Sequence, residues 1–163
     1  MKKISSLLAA VALFSAAAAT AQDYTVTSPD GNIKAVVTLA DGITYDVYHG
    51  NDLVLDDCRM SMNIGGKVLG SAPKIKSTQR KSVNEVKHPY IHLKFAEVPN
   101  NYNQMTLNMK DNYAVEFRAY NDGVAYRFST TLKGETVVLS ETAEVNFGKD
   151  NLAWLPYSTN EQK

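Results

Sequence analysis

The 163-residue sequence is short of the features that mark many functional classes. It has one cysteine, Cys58, so an internal disulfide and a paired-cysteine metal or redox motif are both excluded. It has no excess of either charge, since 17 basic and 17 acidic residues cancel. That balance leaves no footprint for nucleic acid or for an anionic membrane surface. Beyond the first two dozen or so residues there is no long apolar run, no low-complexity tract and no sustained 3.6-residue apolar repeat, which argues against membrane-spanning and helical architectures there. Gly-x-Ser-x-Gly and the phosphate-binding loop are missing as well.

What is present begins with an export signal. Met1-Lys2-Lys3 is a basic leader, Ile4 to Ala18 is apolar or small, and Ala19-Thr20-Ala21 fits a small-x-small cleavage site. The expected mature chain starts at Gln22, in the periplasm or medium. No cysteine follows the cut to take a lipid, so no membrane attachment is expected after cleavage. In that oxidising compartment Cys58 reads as a small buried apolar residue rather than as a thiol pairing between chains.

The remainder alternates with period 2. Ile33, Ala35, Val37 and Leu39 face one way, and Asp41-Gly42 turns the chain toward Tyr45 and Val47. His49-Gly50-Asn51-Asp52 and Gly65-Gly66 are further turns around Met60, Met62 and Ile64. Alternation returns at Ile91, Leu93 and Phe95, at Met105, Leu107 and Met109, and at Tyr113, Val115, Phe117 and Ala119. Asn121-Asp122-Gly123 reads as a tight hairpin into Val124, Tyr126 and Phe128, with positive φ that glycine tolerates. Val137 to Leu139, then Ala143, Val145 and Phe147, close the series. About ten short strands joined by Gly, Asp and Asn turns predict an all-β, antiparallel sandwich with one wet face per sheet.

Candidate chemistry is sparse. His88 and His92 have metal-like spacing, but on a strand four residues separate their Cα atoms by about 13 Å, too far to share an ion easily. Hydrolysis of a glycosidic bond needs two carboxyl groups roughly 5–10 Å apart. Glu116 and Asp122 flank one strand and its turn, yet Asp122 is explained by turn chemistry. Glu141 and Glu144 read as solvated. Ser158-Thr159-Asn160-Glu161 has the pattern of a helix start. Tyr48, Tyr90 and Tyr120 point outward, more simply as cross-strand packing than as a platform for sugar rings. No residue is assigned a catalytic, cofactor-binding or metal-binding role. The late aromatic stretch Trp154-Leu155-Pro156-Tyr157 suits a core more than a chain end, so the sandwich is expected to be incomplete and the polypeptide truncated.

The segment Val115-Glu116-Phe117-Arg118-Ala119-Tyr120-Asn121-Asp122-Gly123-Val124-Ala125-Tyr126-Arg127-Phe128 resembles the N-terminal domain of glycoside hydrolase family 97. Val26-Thr27-Ser28-Pro29-Asp30-Gly31-Asn32-Ile33 is similar to that domain's opening strand, and Asp41-Gly42-Ile43-Thr44-Tyr45-Asp46-Val47 to its first hairpin. The resemblance covers residues 22–163, behind a signal peptide at 1–21. It implies a galactose-mutarotase-like sandwich that precedes a (β/α)8 barrel bearing the catalytic carboxylates, and then a small β-domain. It implies α-glucosidase or α-galactosidase activity for the whole enzyme, with α-linked oligosaccharide or polysaccharide as substrate and calcium near the active site. The barrel would be the sandwich's missing partner. No calcium ligand transfers to a residue here, so no cofactor is expected from this chain. The resulting expectation is a non-catalytic, carbohydrate-associated domain that packs on the barrel and walls its cleft. The alternative is a stand-alone secreted binding or interaction module on the same fold.

Overall fold

The computed structural model describes residues 21–91, 94–150 and 152. The expected signal peptide, but for Ala21, lies outside the described residues, as do His92, Trp154, Leu155, Tyr157 and the 158–161 segment. Among the described residues no helix is long and apolar enough to cross a membrane.

Among the described residues ten strands form in chain order: β1 (Gln22–Thr27), β2 (Ile33–Leu39), β3 (Ile43–His49), β4 (Asp52–Ile64), β5 (Lys67–Leu69), β6 (Ile75–Lys87), β7 (Val98–Met109), β8 (Tyr113–Tyr120), β9 (Gly123–Thr130) and β10 (Val138–Ala143). They make two antiparallel sheets. One has the order β1-β2-β3-β4-β10, with β5 on the far half of β4, and the other is the meander β6-β7-β8-β9. The expected all-β sandwich is therefore what the chain forms.

Alternation sets the layers. Along β2 the residues Ile33, Ala35, Val37 and Leu39 are buried and their neighbours half-buried, and β8 repeats this with Tyr113, Val115, Phe117 and Ala119. These rows meet Met105, Leu107 and Met109 from β7 and Ile43, Tyr45, Cys58 and Met60 from the other sheet, in one core. A period of 2 lets one strand serve core and solvent at once. Tyr45, Phe117 and Tyr126 pack as tilted rings 5.7–5.8 Å apart at the centre, an arrangement that suits aromatic quadrupoles.

Polar ties hold the sheets in register. Asn103 donates from Nδ2 to the Thr27 carbonyl at 2.8 Å, and the Asp30 N–H donates to Asn121 Oδ1 at 3.2 Å. Gly70 marks where the chain leaves the first sheet. Its φ is +95°, a Cβ there would meet the Met60 carbonyl at 3.0 Å, and its N–H donates to the Tyr113 hydroxyl at 3.2 Å. Only glycine combines that conformation with so close an approach.

The structure corrects three expectations. The alternation at Ile91 to Phe95 makes no strand among the described residues: His88 to Glu97 connect β6 to β7. The strand lies instead at Ile75–Lys87, where thirteen mostly exposed residues pair with β7 along its whole length. The turn after β8 is tight, since Tyr120 pairs with Gly123. Yet positive φ falls at neither Asn121, Asp122 nor Gly123; it falls at Asn112, in the turn between β7 and β8, at 61°. Gly123 opens β9 with free space where a Cβ would stand. Asparagine tolerates the left-handed region, so the more strained turn carries the residue suited to it.

Candidate functional site

The core uses half of each strand, and the other half of the β6–β9 sheet makes an outer face. On β7 it presents Tyr102, Gln104, Thr106 and Asn108; on β8, Ala114, Glu116, Arg118 and Tyr120. Register brings Gln104 beside Arg118 and Thr106 beside Glu116, with Glu116 next to Arg127 on β9. Neighbouring strands lie about 4.8 Å apart, so these rows become a continuous polar lattice.

The lattice is internally bonded. Arg118 donates from Nε to Gln104 Oε1 at 2.9 Å, and Gln104 donates from Nε2 to Thr106 Oγ1 at 3.0 Å. The guanidinium of Arg118 stands 4.4 Å from the centre of the Tyr102 ring, which packs on Tyr120 at 5.1 Å. Arg127 Nη2 donates to Glu116 Oε1 at 3.0 Å and lies 2.9 Å from Oε2. Gln104 is only 7% exposed although it points away from the core. An open groove of about 610 Å³ runs over Gln104, Thr106, Asn108 and Glu116, from Lys76 and Lys81 on β6 to Ser129 on β9.

The singled-out residues are scattered. Glu116 sits four residues, about 13 Å, from the end of β8 where Asp122 turns the chain, beyond the spacing of a glycosidase pair. Glu144 Oε2 accepts the Arg59 N–H at 3.2 Å, and Glu141 is exposed on β10. His88 is exposed beyond β6. Tyr48 lies on the outer face of the other sheet under Lys34, whose Nζ is 4.3 Å from the ring centre. Tyr120 lies on the groove side, and Tyr90 is 100% exposed on the β6–β7 connection. The three tyrosines thus occupy separate surfaces and form no common platform. Cys58 is buried, and its Sγ accepts the Asn146 N–H at 3.2 Å. Among the described residues no group of three His, Cys, Asp or Glu is placed to hold a metal ion.

Residues 26–163 match the family described as glycosyl-hydrolase 97 N-terminal. The chain belongs to the glycoside hydrolase family 97 N-terminal domain family. It is 39% identical over 158 residues to a retaining alpha-galactosidase of Bacteroides thetaiotaomicron, covering 96% of this chain and 24% of that protein. The chain thus spans about a quarter of that relative's length. A family 97 enzyme of Pseudoalteromonas sp. strain K8, solved in complex with panose, shares the fold at a TM-score of 0.67 and 22% identity, over 77% of this chain and 20% of that one. A beta-arabinopyranosidase does so at a TM-score of 0.69 and 20% identity, over 77% and 21%. The family 97 resemblance read from Val115 to Phe128 is therefore established across the sandwich. That reading had missed the polar lattice. Its signal is the half of β7 that interleaves Met105, Leu107 and Met109, namely Gln104, Thr106 and Asn108.

Proposed function

We propose that this chain acts as the non-catalytic N-terminal domain of an exported α-glycosidase, packing on a (β/α)8 catalytic barrel and walling its substrate cleft. The observation that carries this reading is the match to one quarter of a retaining alpha-galactosidase. A surface feature supports it. Among the described residues β6 and β7 form the longest ladder, from Ile75↔Met109 to Lys87↔Val98. Around the end of that ladder stand Val86, Tyr90, Ile91, Phe95 and Val98, all exposed. Large apolar side chains gathered at one tip mark a surface that a partner covers. Within this reading the barrel supplies the catalytic carboxylates and acts on an α-linked oligosaccharide or polysaccharide. Calcium, where the whole enzyme uses it, is part of this proposal for the whole enzyme and is assigned to no residue of this chain. Export by the Met1–Ala21 segment is part of the proposal.

The test is enzymatic and physical. The purified chain should leave aryl α-galactosides and α-glucosides unhydrolysed, with or without calcium, and should form a complex with the catalytic portion of a family 97 enzyme. Tyr90→Ser with Ile91→Ser should weaken that complex at least tenfold while leaving the melting temperature of the free chain in place. Turnover that disappears on mutating one of the chain's own acids would overturn the reading, and so would failure to form the complex.

A further inference from the structure

The outer face of the β6–β9 sheet contains more organised polar chemistry than sheet packing requires. Its centre is Glu116, whose side chain is 13% exposed while that of its partner Arg127 is 64% exposed. Oε1 takes the hydrogen bond from Arg127, and Oε2 is buried with no hydrogen-bond donor aligned on it. Arg127 Nη2 also lies 2.9 Å from Oε2, so an ion pair rather than a second aligned hydrogen bond holds that oxygen. The arginine of that pair is solvent-exposed, and Glu116 itself lines the groove. Gln104, held by Arg118, Thr106, held by Gln104, and Asn108 flank the position.

We propose that this groove is a binding site for a neutral oligosaccharide. Lining the groove, the Glu116 carboxylate accepts from sugar hydroxyls, the Gln104 and Asn108 amides donate and accept, and the Thr106 hydroxyl does both. Register holds these groups side by side, so little side-chain freedom is lost when a ring settles over them. The groove's about 610 Å³ lies in the range of small-molecule sites. One pleat further on, the Tyr102–Tyr120 pair adds an amphipathic surface on the same face. The charges are compatible with a neutral ligand. Arg127 balances Glu116 at the centre, Arg80 is tied to the Thr25 carbonyl, and Lys76 and Lys81 stand exposed on the rim, where attraction to an acidic sugar is weakened by solvent and salt. The choice of sugar as ligand rests on the accessory-domain reading above.

Calorimetric titration of the full chain with panose, a neutral trisaccharide, tests the site, with trigalacturonate as the acidic comparison. Panose should bind saturably with a Kd near or below about 1 mM, which corresponds to roughly −4 kcal/mol. Glu116→Ala should weaken it at least tenfold, and Tyr48→Ala, on the opposite outer face, should leave it unchanged. Amide shifts on adding panose should cluster at Thr106, Glu116 and Arg127, a readout that needs no variant to fold; Glu116→Gln provides a near-isosteric check. Absence of saturable panose binding would overturn the proposal. The same holds for undiminished binding by a folded Glu116 variant, or for binding of trigalacturonate alone that vanishes in salt. Loss of panose binding with the catalytic-portion complex intact removes only the groove site, whereas the reverse pattern removes only the accessory-domain reading.

Discussion

Tyr45 shows how one residue ties the core to its edges. Its ring packs between Phe117 and Tyr126, and its hydroxyl donates to the Glu144 carbonyl at 3.2 Å. Burial, reinforced by the nearby Cys58 and Tyr126, pushes the phenol up to about 12. Its unfolded value is near 10. The folded value is the higher one, so the stabilisation is complete below pH 10 and is lost as pH rises toward 12. Urea melts of the wild type should therefore show a falling midpoint across that window. Tyr45→Phe should be about 1 kcal/mol less stable at pH 8, having lost one hydrogen bond, and should fall less steeply above pH 10. Equal slopes for the two proteins would refute this account of Tyr45. At this scale the sequence was partly legible. Alternation placed Tyr45 with Val47 on a strand, but its bond to Glu144 spans 99 positions and no local pattern encodes such a contact. The turns show the same limit. The Asn-Asp-Gly spelling marked the place of the β8–β9 hairpin correctly, while its backbone conformation was left to the strands around it.

At the scale of elements, legibility followed apolar content. β2 and β8 show their inner faces plainly, and both lie where alternation puts them. β6 was missed because it is an edge strand whose residues are mostly exposed and polar: Lys76, Gln79 and Lys81 on one face, Thr78, Arg80 and Ser82 on the other. Long ladder pairing to β7 holds it, with Arg80 donating to the Thr25 carbonyl as an anchor. Charged residues on an edge also discourage pairing with another chain. Ile91 and Phe95 misled because alternation cannot distinguish a strand from an apolar connection. These differences predict a gradient of local stability. β7 and β8 pair with neighbours on both sides and bury Met105, Leu107, Val115 and Phe117 completely. β10 is exposed along its length. Amide exchange should be slowest in β8 and the Met105–Met109 half of β7, and much faster in β10 and the Ser82–Lys87 end of β6. Phe117→Ala should cost about 3–5 kcal/mol and raise exchange in β7 and β8 together. Equal protection of β10 and β8 would contradict this order.

At the scale of the whole molecule, the described residues leave the sandwich open on the side of β9 and β10. Val137, Val138, Leu139, Val145 and Phe147 are all more than half exposed. On β9, Tyr126 and Phe128 pack against the core but are only half-buried. The wet face expected of each sheet does not account for these residues, because they lie along a margin where the two sheets stop facing one another. The polar lattice was not legible in the sequence, since polar positions on a strand ordinarily mean nothing more than solvent. Anything that binds only the folded chain stabilises it by mass action. If the catalytic portion of a family 97 enzyme covers the open margin or the β6–β7 tip, adding it at one hundred times its Kd contributes about 2.7 kcal/mol. For a chain of this size that raises the melting temperature by roughly 5–10 °C. Without that partner, exposed apolar surface and the edge of β9, unpaired among the described residues, should drive association between copies, seen in size-exclusion chromatography as a species that grows with concentration. Val138→Lys with Phe147→Lys should suppress the self-association, since two charges then interrupt the apolar margin. A monodisperse chain at high concentration, with a melt unmoved by the catalytic portion, would show that these surfaces are complete as they stand.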